Sequence, residues 1–189
     1  MSKYLIVYGT QEGQTAKIAN SIAETIRQHG SSEVDVFDVR KVPSGIRFQE
    51  YEGVIIGSSI HMLHWSNPAI TFAKQYQDQI NKVPSAFFSV SMTSAGPIPE
   101  QRARLDPLVE KFFSKSGWRP DAVGNFAGRL AYSKYGFLTR WLMQSIARAN
   151  GESTDVSHDI EYTNWEQVEE FANQFVENAK GKTAVVAEG

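Results

Sequence analysis

The residues from Thr10 to Thr15 form the chain's sharpest chemical pattern, Thr-Gln-Glu-Gly-Gln-Thr, between an apolar run and a helical period that starts at Gln14. A helix N-terminus presents unpaired N–H groups and a partial positive charge, so it attracts anions. Two threonine hydroxyls add donors, and Gly13 lets the backbone fold close to a phosphate. Because the pattern contains neither the lysine of a triphosphate loop nor Gly-x-Gly-x-x-Gly, it suits a monophosphate ester. The alternative is an ordinary polar turn with a threonine as the helix cap. Residues 10–15 are named the phosphate turn below.

Two further loops rich in small hydroxylated residues follow apolar runs, namely Ser58, Ser59, Ile60 and His61, and then Ser91, Met92, Thr93 and Ser94. Ligands of open parallel sheets bind at the carboxyl ends of strands, so these loops are expected to meet the phosphate turn. Trp65 and Met92 could pack on the face of a planar heterocycle. For Trp65 the competing interpretation is a core residue that plugs its loop against the sheet.

Two histidines, His61 and His64, stand three residues apart in the loop after the run at 53–57. No carboxylate lies near them in sequence to complete a metal site, so no metal is expected. Either they donate toward the ligand or substrate, or they are solvated loop residues.

The composition narrows the chemistry further. The chain has 189 residues and no cysteine, which excludes disulfides, thiolate metal sites and cysteine nucleophiles. A redox function would therefore depend on a bound organic cofactor. The net charge of −2 gives no nucleic-acid footprint. No stretch approaches the roughly 20 apolar residues of a membrane-spanning helix, so a cytoplasmic protein, free or loosely attached to a membrane, is expected.

Strand and helix patterns alternate along the chain and must position these loops. Apolar or alternating runs predict strands at 4–8, 34–39, 53–57, 86–90 and 123–130, and helical periods begin near 14, 67, 100 and 164. This order predicts an α/β fold, a doubly wound, five-stranded parallel sheet with helices on both faces. We expect one domain over residues 1–180 with a helical insertion at about 129–160. The last helix is predicted to end near Asn178, with a flexible tail over 181–189.

At this point the chain resembles known proteins. The phosphate turn is similar to the FMN phosphate loop of flavodoxins. Most of the remaining length resembles the flavodoxin-like, quinone-dependent protoporphyrinogen oxidases of haem synthesis. The specific matches lie in the C-terminal half, in Trp-Arg-Pro-Asp at 118–121, Tyr162-Thr163 and Trp-Glu-Gln-Val at 165–168.

The resemblance implies FMN as cofactor, protoporphyrinogen IX as electron donor and a membrane quinone as acceptor. Carried over by position, the phosphate would be held by Thr10, Gln11, Glu12, Gly13, Gln14 and Thr15. Residues Ser58 to His61 and Ser91 to Ser94 would border the isoalloxazine ring. The flavin carries the chemistry, so no catalytic side chain is assigned.

Four basic residues and no acidic one lie between Ala122 and Gly151, namely Arg129, Lys134, Arg140 and Arg148. Together with His64 and Trp141, they are predicted to dock the porphyrinogen carboxylates, the quinone or the inner face of the cytoplasmic membrane. The alternative is a helix packed on the core with its arginines solvated.

Two other functions stay open at this stage. An electron-carrier flavodoxin would show a strongly acidic docking face and would not need the basic segment. An NAD(P)H:quinone reductase of the same fold would be reduced by NADPH alone. The sequence does not predict an oligomeric state.

Overall fold

A computed structural model describes residues 2–61, 64, 65, 67–92, 94, 105–130 and 160–187, and strands and helices alternate through them. The strands are β1 (Lys3–Gly9), β2 (Glu33–Asp38), β3 (Gly53–His61), β4 (His64–Trp65), β5 (Ser85–Ser91), β6 (Ala122–Ala127), β7 (Arg129–Leu130) and β8 (Ile160–Glu161). The helices are α1 (Gln14–Gln28), α2 (Asn67–Ile80), α3 (Leu105–Ser116) and α4 (Trp165–Ala187). Short 3₁₀ turns at Val39–Lys41 and Phe48–Glu50 connect β2 to β3.

The five long strands form one parallel sheet in the order β2-β1-β3-β5-β6. The predicted doubly wound, five-stranded α/β sheet is therefore confirmed. The chain moves outward from β1 to β2 and then returns to β3 on the other side of β1. Such a reversal opens a crevice at the carboxyl ends of β1 and β3, where ligands of this architecture bind.

Both faces of the sheet are covered by helices, which explains the continuous apolar run of β1. Tyr4 and Ile6 lie in the core with α1 and α4, while Leu5 and Val7 lie in the core with α2 and α3. All four side chains have no solvent exposure. The stripe predicted for α1, Ile18, Ala19, Ile22, Ala23 and Ile26, is buried against the same sheet. The helix that carries the phosphate turn is thus anchored to the sheet along its length.

The strand predicted over 123–130 is in fact two strands, because the ladder breaks at Gly128. The Gly128 N–H donates to the Ser91 carbonyl at 3.1 Å, and the Gly128 carbonyl accepts from Tyr162 N at 3.1 Å. Beyond this break, β7 leaves the parallel sheet and pairs antiparallel with β8. The chain segment that follows the predicted insertion therefore returns to the carboxyl end of β6.

The end predicted for the last helix was also wrong. The helix α4 continues to Ala187 rather than ending near Asn178. A glycine inside a helix costs only about 1 kcal/mol relative to alanine, so Gly181 does not stop it. Within 129–160, the predicted helical insertion, residues 131–159 lie outside the described part of the chain. In the part that is described, no helix combines the length and the apolar character needed to cross a bilayer.

Candidate cofactor site

A cleft opens at the carboxyl ends of β1, β3 and β5, where the three polar loops meet. The phosphate turn contributes Thr10, Gln11, Glu12, Gln14 and Thr15. The end of β3 contributes Ser59 and Ile60, and the end of β5 contributes Val90, Ser91 and Met92. Gly128 and Arg129, which follow β6, complete the wall. The cleft lies where the reversal of strand order predicts a ligand site.

The phosphate turn is shaped by Gly13, which adopts φ +99° and ψ −12° as the N-cap of α1. Its N–H donates to Thr10 Oγ1 at 2.9 Å, while its carbonyl accepts the first intrahelical bond from Lys17 N at 3.1 Å. No side chain caps α1, and its first turn has no acidic residue. The threonine cap of the alternative interpretation is therefore wrong, and whether the turn binds an anion or is an ordinary polar turn stays a prediction. The amides of the first turn have no intrahelical acceptor and can be taken by an anion.

The end of β3 presents two serines that face opposite sides of the sheet. Ser59 lines the cleft, and its buried hydroxyl has no hydrogen-bond partner among the described residues. Ser58 is fully buried, and its hydroxyl is likewise unpartnered within the described chain. Because side chains alternate along a strand, Ser58 points away from Ser59 and does not line the cleft. The hydroxyl of Ser58 is thus placed away from the cleft, and the prediction that Ser58 borders the ligand through its backbone stays a prediction.

The end of β5 forms a small hydroxyl cluster beside an exposed thioether. Ser91 Oγ and Ser94 Oγ lie 3.0 Å apart, and Ser94 N donates to Ser91 Oγ at 3.2 Å. Met92 lines the cleft and is 37% exposed, so its soft side chain is available to pack on a ligand. Thr93 lies outside the described residues.

Trp65 is a core residue, so the interpretation that it packs on the cofactor is corrected. Its side chain is 8% exposed and does not line the cleft. The indole N–H donates to the Leu108 carbonyl at 2.9 Å, and the ring packs edge-on against Phe87 and Phe112. Trp65 therefore joins β4 to α3 in the core, as the competing interpretation held.

The predicted docking residues divide into those that the structure places and those that it does not. Arg129 lines the cleft. His61 and His64 pair through their backbones where β3 meets β4, and their side chains lie outside the described part. Lys134, Arg140, Trp141 and Arg148 belong to the undescribed range as well. Among the described residues no cluster of histidines and carboxylates could hold a metal ion.

Three residues of the site were missed from the sequence. Val90 and Gly128 line the cleft, and Thr163 contacts the phosphate turn through a hydrogen bond from Gln14 at 2.8 Å. A glycine inside a strand pattern indicates a bulge or a close backbone approach, so Gly128 carried a signal. Thr163 carried none, because 149 residues separate it from Gln14.

Known proteins resemble this chain in both sequence and structure. The model of the Flavodoxin domain matches residues 5–157. The chain is 36% identical over 173 residues to protoporphyrinogen IX dehydrogenase [quinone] of Leishmania major, covering 92% of this chain and 74% of that protein. It is 33% identical over 172 residues to the protein of the same name from Escherichia coli (strain K12), covering 91% and 93%.

Solved structures agree on the fold. A short-chain flavodoxin associated with a non-canonical PDU bacterial microcompartment superimposes with a TM-score of 0.57 at 12% identity, covering 95% of this chain and 99% of that one. Flavodoxin 1 from Bacillus cereus superimposes with a TM-score of 0.52 at 19% identity, covering 93% and 98%. The matched fold, the cleft at the strand reversal and the family model together imply a flavin-binding domain. The chain belongs to the Flavodoxin domain family, within which its relatives over nine-tenths of its length are protoporphyrinogen IX dehydrogenases [quinone].

Proposed function

We propose that this chain is an FMN-dependent oxidoreductase that oxidises protoporphyrinogen IX in haem biosynthesis and passes the electrons to a quinone. Two relatives that match it over more than 90% of its length are named protoporphyrinogen IX dehydrogenase [quinone]. The observation that carries the proposal is the single cleft in which the phosphate turn meets the ends of β3 and β5. A phosphorylated, planar cofactor needs both an anion site and a ring site within one such cleft.

The donors in the cleft fit FMN. A phosphate at the phosphate turn would take the amides at the start of α1 and the hydroxyls of Thr10 and Thr15. Thr10 Oγ1 accepts from Gly13 and can still donate its own proton to a phosphate oxygen. The unpartnered hydroxyl of Ser59 is a buried polar atom that a heterocycle could satisfy. When bound, FMN supplies the redox chemistry by accepting and releasing electron pairs.

The other walls of the cleft have separate tasks in this proposal. Ile60, Val90 and Met92 give apolar and thioether surface for the ring or the tetrapyrrole. Arg129 lines the cleft, and in this proposal its guanidinium pairs with a carboxylate of the substrate. Ser91 is held by Ser94, which fixes the edge of the ring site.

The experiment begins with colour and continues with electron donors. The purified protein, soaked in FMN and then desalted, should show flavin absorbance bands, and their absence would end the proposal. Anaerobic mixing with protoporphyrinogen IX should bleach the bands, and a soluble quinone should restore them. Bleaching by NADPH alone would instead indicate an NAD(P)H:quinone reductase. A flavin that neither donor reduces would indicate an electron carrier.

A matched pair of variants tests the role given to Arg129. Arg129→Gln should raise KM for protoporphyrinogen, because it removes a charge-assisted hydrogen bond worth about 1.5–3 kcal/mol. Arg119→Gln is the control, since Arg119 is exposed and paired with Glu110 at 2.9 Å, outside the cleft. An unchanged KM in Arg129→Gln would remove Arg129 from the substrate site.

We also propose that the protein works in the cytoplasm and meets the membrane peripherally to reach its quinone. The cationic side chain of Arg129 at the cleft and the basic residues that follow it in sequence support this contact. Vesicles with anionic lipid should sediment the protein at low salt and release it at high salt. Equal sedimentation with neutral and anionic vesicles would contradict an electrostatic contact.

A further inference from the structure

The segment at residues 160–165, named the return segment here, lies against the start of α1. Its first two residues form β8, which pairs with β7, and Tyr162 N bonds to the Gly128 carbonyl. Gly128 in turn bonds to the end of β5 through Ser91. The return segment is therefore fixed to the same strand ends that form the cleft.

Thr163 connects the sheet to the first residue of α1 by two hydrogen bonds. Gln14 Nε2 donates to Thr163 Oγ1 at 2.8 Å, and the Thr163 hydroxyl donates to the Ala127 carbonyl at 2.8 Å. The hydroxyl accepts once and donates once, so the direction of both bonds is determined. Gln14 is 7% exposed, so its amide is held among protein groups rather than in water, and Glu161 is its second partner.

A second attachment lies one turn further along α1. Lys17 Nζ pairs with Glu161 Oε2 at 2.7 Å and lies 4.8 Å from the centroid of the Trp165 ring. Desolvation by burial opposes ionisation of Glu161, but its hydrogen bonds from Lys17, Trp165 and Gln14 and the charge of Lys17 lower its pKa. Lys17 is thus paired with the carboxylate of Glu161. We therefore expect the affinity of the phosphate turn for an anion to depend on the positions of the neutral backbone amides.

We infer that Thr163 is a positioning residue for the phosphate end of the cofactor, acting through Gln14. This inference rests on the proposed function, because it requires FMN in the cleft. Two bonds fix the first residue of α1 relative to the end of β6, and that residue carries one of the amides that an anion would take. A turn held in its binding geometry before the ligand arrives binds more tightly, because less freedom is lost on binding.

The test compares FMN with riboflavin, which has the same ring and no phosphate. Thr163→Val keeps the shape of the side chain and removes both hydrogen bonds. We expect the FMN dissociation constant, measured by quenching of flavin fluorescence, to rise about 5-fold, as the loss of a hydrogen bond of about 1 kcal/mol would give. The riboflavin constant should stay within about 2-fold, and Thr163→Ser should restore FMN binding.

Control variants separate positioning from general stability. Thr25→Val removes a hydroxyl bonded to the Ser21 carbonyl at 3.2 Å in the same helix, and it should change neither constant. Gln14→Met removes the donor and leaves the Thr163–Ala127 bond, so it should reproduce the loss of FMN affinity even if Thr163→Val folds poorly. In the Gln14→Met background, Thr163→Val should add little.

The outcomes distinguish this inference from the function on which it rests. A wild-type protein that binds no FMN would refute the proposed function. A wild type that binds FMN, with Thr163→Val unchanged or with FMN and riboflavin weakened equally, would overturn the positioning role alone.

Discussion

Two buried serine hydroxyls in the sheet are opposite cases of hydrogen bonding, and only the removal of the bonded one should lower stability. Ser59 Oγ has no partner among the described residues. Ser85 Oγ accepts from the indole N–H of the fully buried Trp118 at 3.1 Å. Alanine at position 59 removes an uncompensated polar group, whereas alanine at position 85 creates one.

The magnitudes follow from these partners. A buried hydroxyl without a hydrogen bond costs about 1–3 kcal/mol, so Ser59→Ala should leave the unfolding free energy of the cofactor-free protein unchanged or raise it. We expect a gain of no more than about 1 kcal/mol, at the lower end of that range, because the residue as a whole is only half-buried. Ser85→Ala should lower the unfolding free energy by about 1–3 kcal/mol, since the indole N–H loses its acceptor inside the core.

FMN binding provides the second measurement. If the Ser59 hydroxyl bonds to the cofactor, Ser59→Ala should raise the FMN dissociation constant about 5-fold. Ser85→Ala should leave that constant unchanged, because Ser85 lies at the opposite end of β5 from the cleft. Urea unfolding of the cofactor-free variants and fluorescence titration with FMN measure the two effects separately.

Two results would refute this reasoning. A cofactor-free Ser59→Ala protein that loses as much stability as Ser85→Ala would show that the Ser59 hydroxyl already has a partner. An unchanged FMN constant in Ser59→Ala would show that the hydroxyl does not reach the cofactor.

Three further predictions concern the phosphate turn, the core and the dependence of stability on pH below 4.5. Gly13→Ala places an L side chain at φ +99°, so it should lower the unfolding free energy by about 1–2 kcal/mol and weaken FMN binding more than riboflavin binding. The control Gly30→Ala, at φ +64°, should lower the unfolding free energy and leave FMN binding unchanged. Equal FMN affinities of the two variants would contradict a role of Gly13 in the phosphate turn. Trp65→Phe should lower the unfolding free energy by about 1–3 kcal/mol and leave the flavin spectrum unchanged, while a shifted spectrum would place Trp65 at the cofactor. The fold lowers the pKa of Glu161 from 4.5, so its contribution is present above that value and is lost as the pH falls through the lowered one. On acidification below pH 4.5 the wild type should therefore lose stability more steeply than Glu161→Gln, and parallel urea-unfolding curves would argue against the Lys17 pair.

The strand positions were readable because each buried strand carries a local signal. Residues 4–8, 53–57 and 86–90 are continuous apolar runs, and parallel strands covered on both faces require such runs. Gly128 indicates a bulge or a close backbone approach, but neither the pairing partners at this break nor the end of α4 has a local signal. The break depends on the hydrogen bonds of Gly128 with Ser91 and Tyr162, which are distant in sequence. The end of α4 depends on the helix continuing through Gly181.

The site was predictable where chemistry and position coincide in sequence. The phosphate turn stands between a strand and a helix, Ser59 lies near the end of β3, and Met92 follows β5, whose end is at the same edge of the sheet. Trp65 shows the limit of prediction from sequence, because an aromatic residue in a loop after a strand can pack on a ligand or in the core. Its contacts with Leu108 and Phe112 place it in the core.

The sequence alone determined the alternation of elements, the position of the phosphate turn between a strand and a helix, and the absence of cysteine chemistry, because each is a property of neighbouring residues. Only the tertiary structure decided that Ser58 and Trp65 lie outside the cleft, that Arg129 lines it, and that Thr163 holds Gln14. These facts depend on strand register and on contacts between residues far apart in the chain. Hydrophobic periodicity reports which face a residue occupies, whereas the partner it meets on that face is fixed only when the sheet assembles.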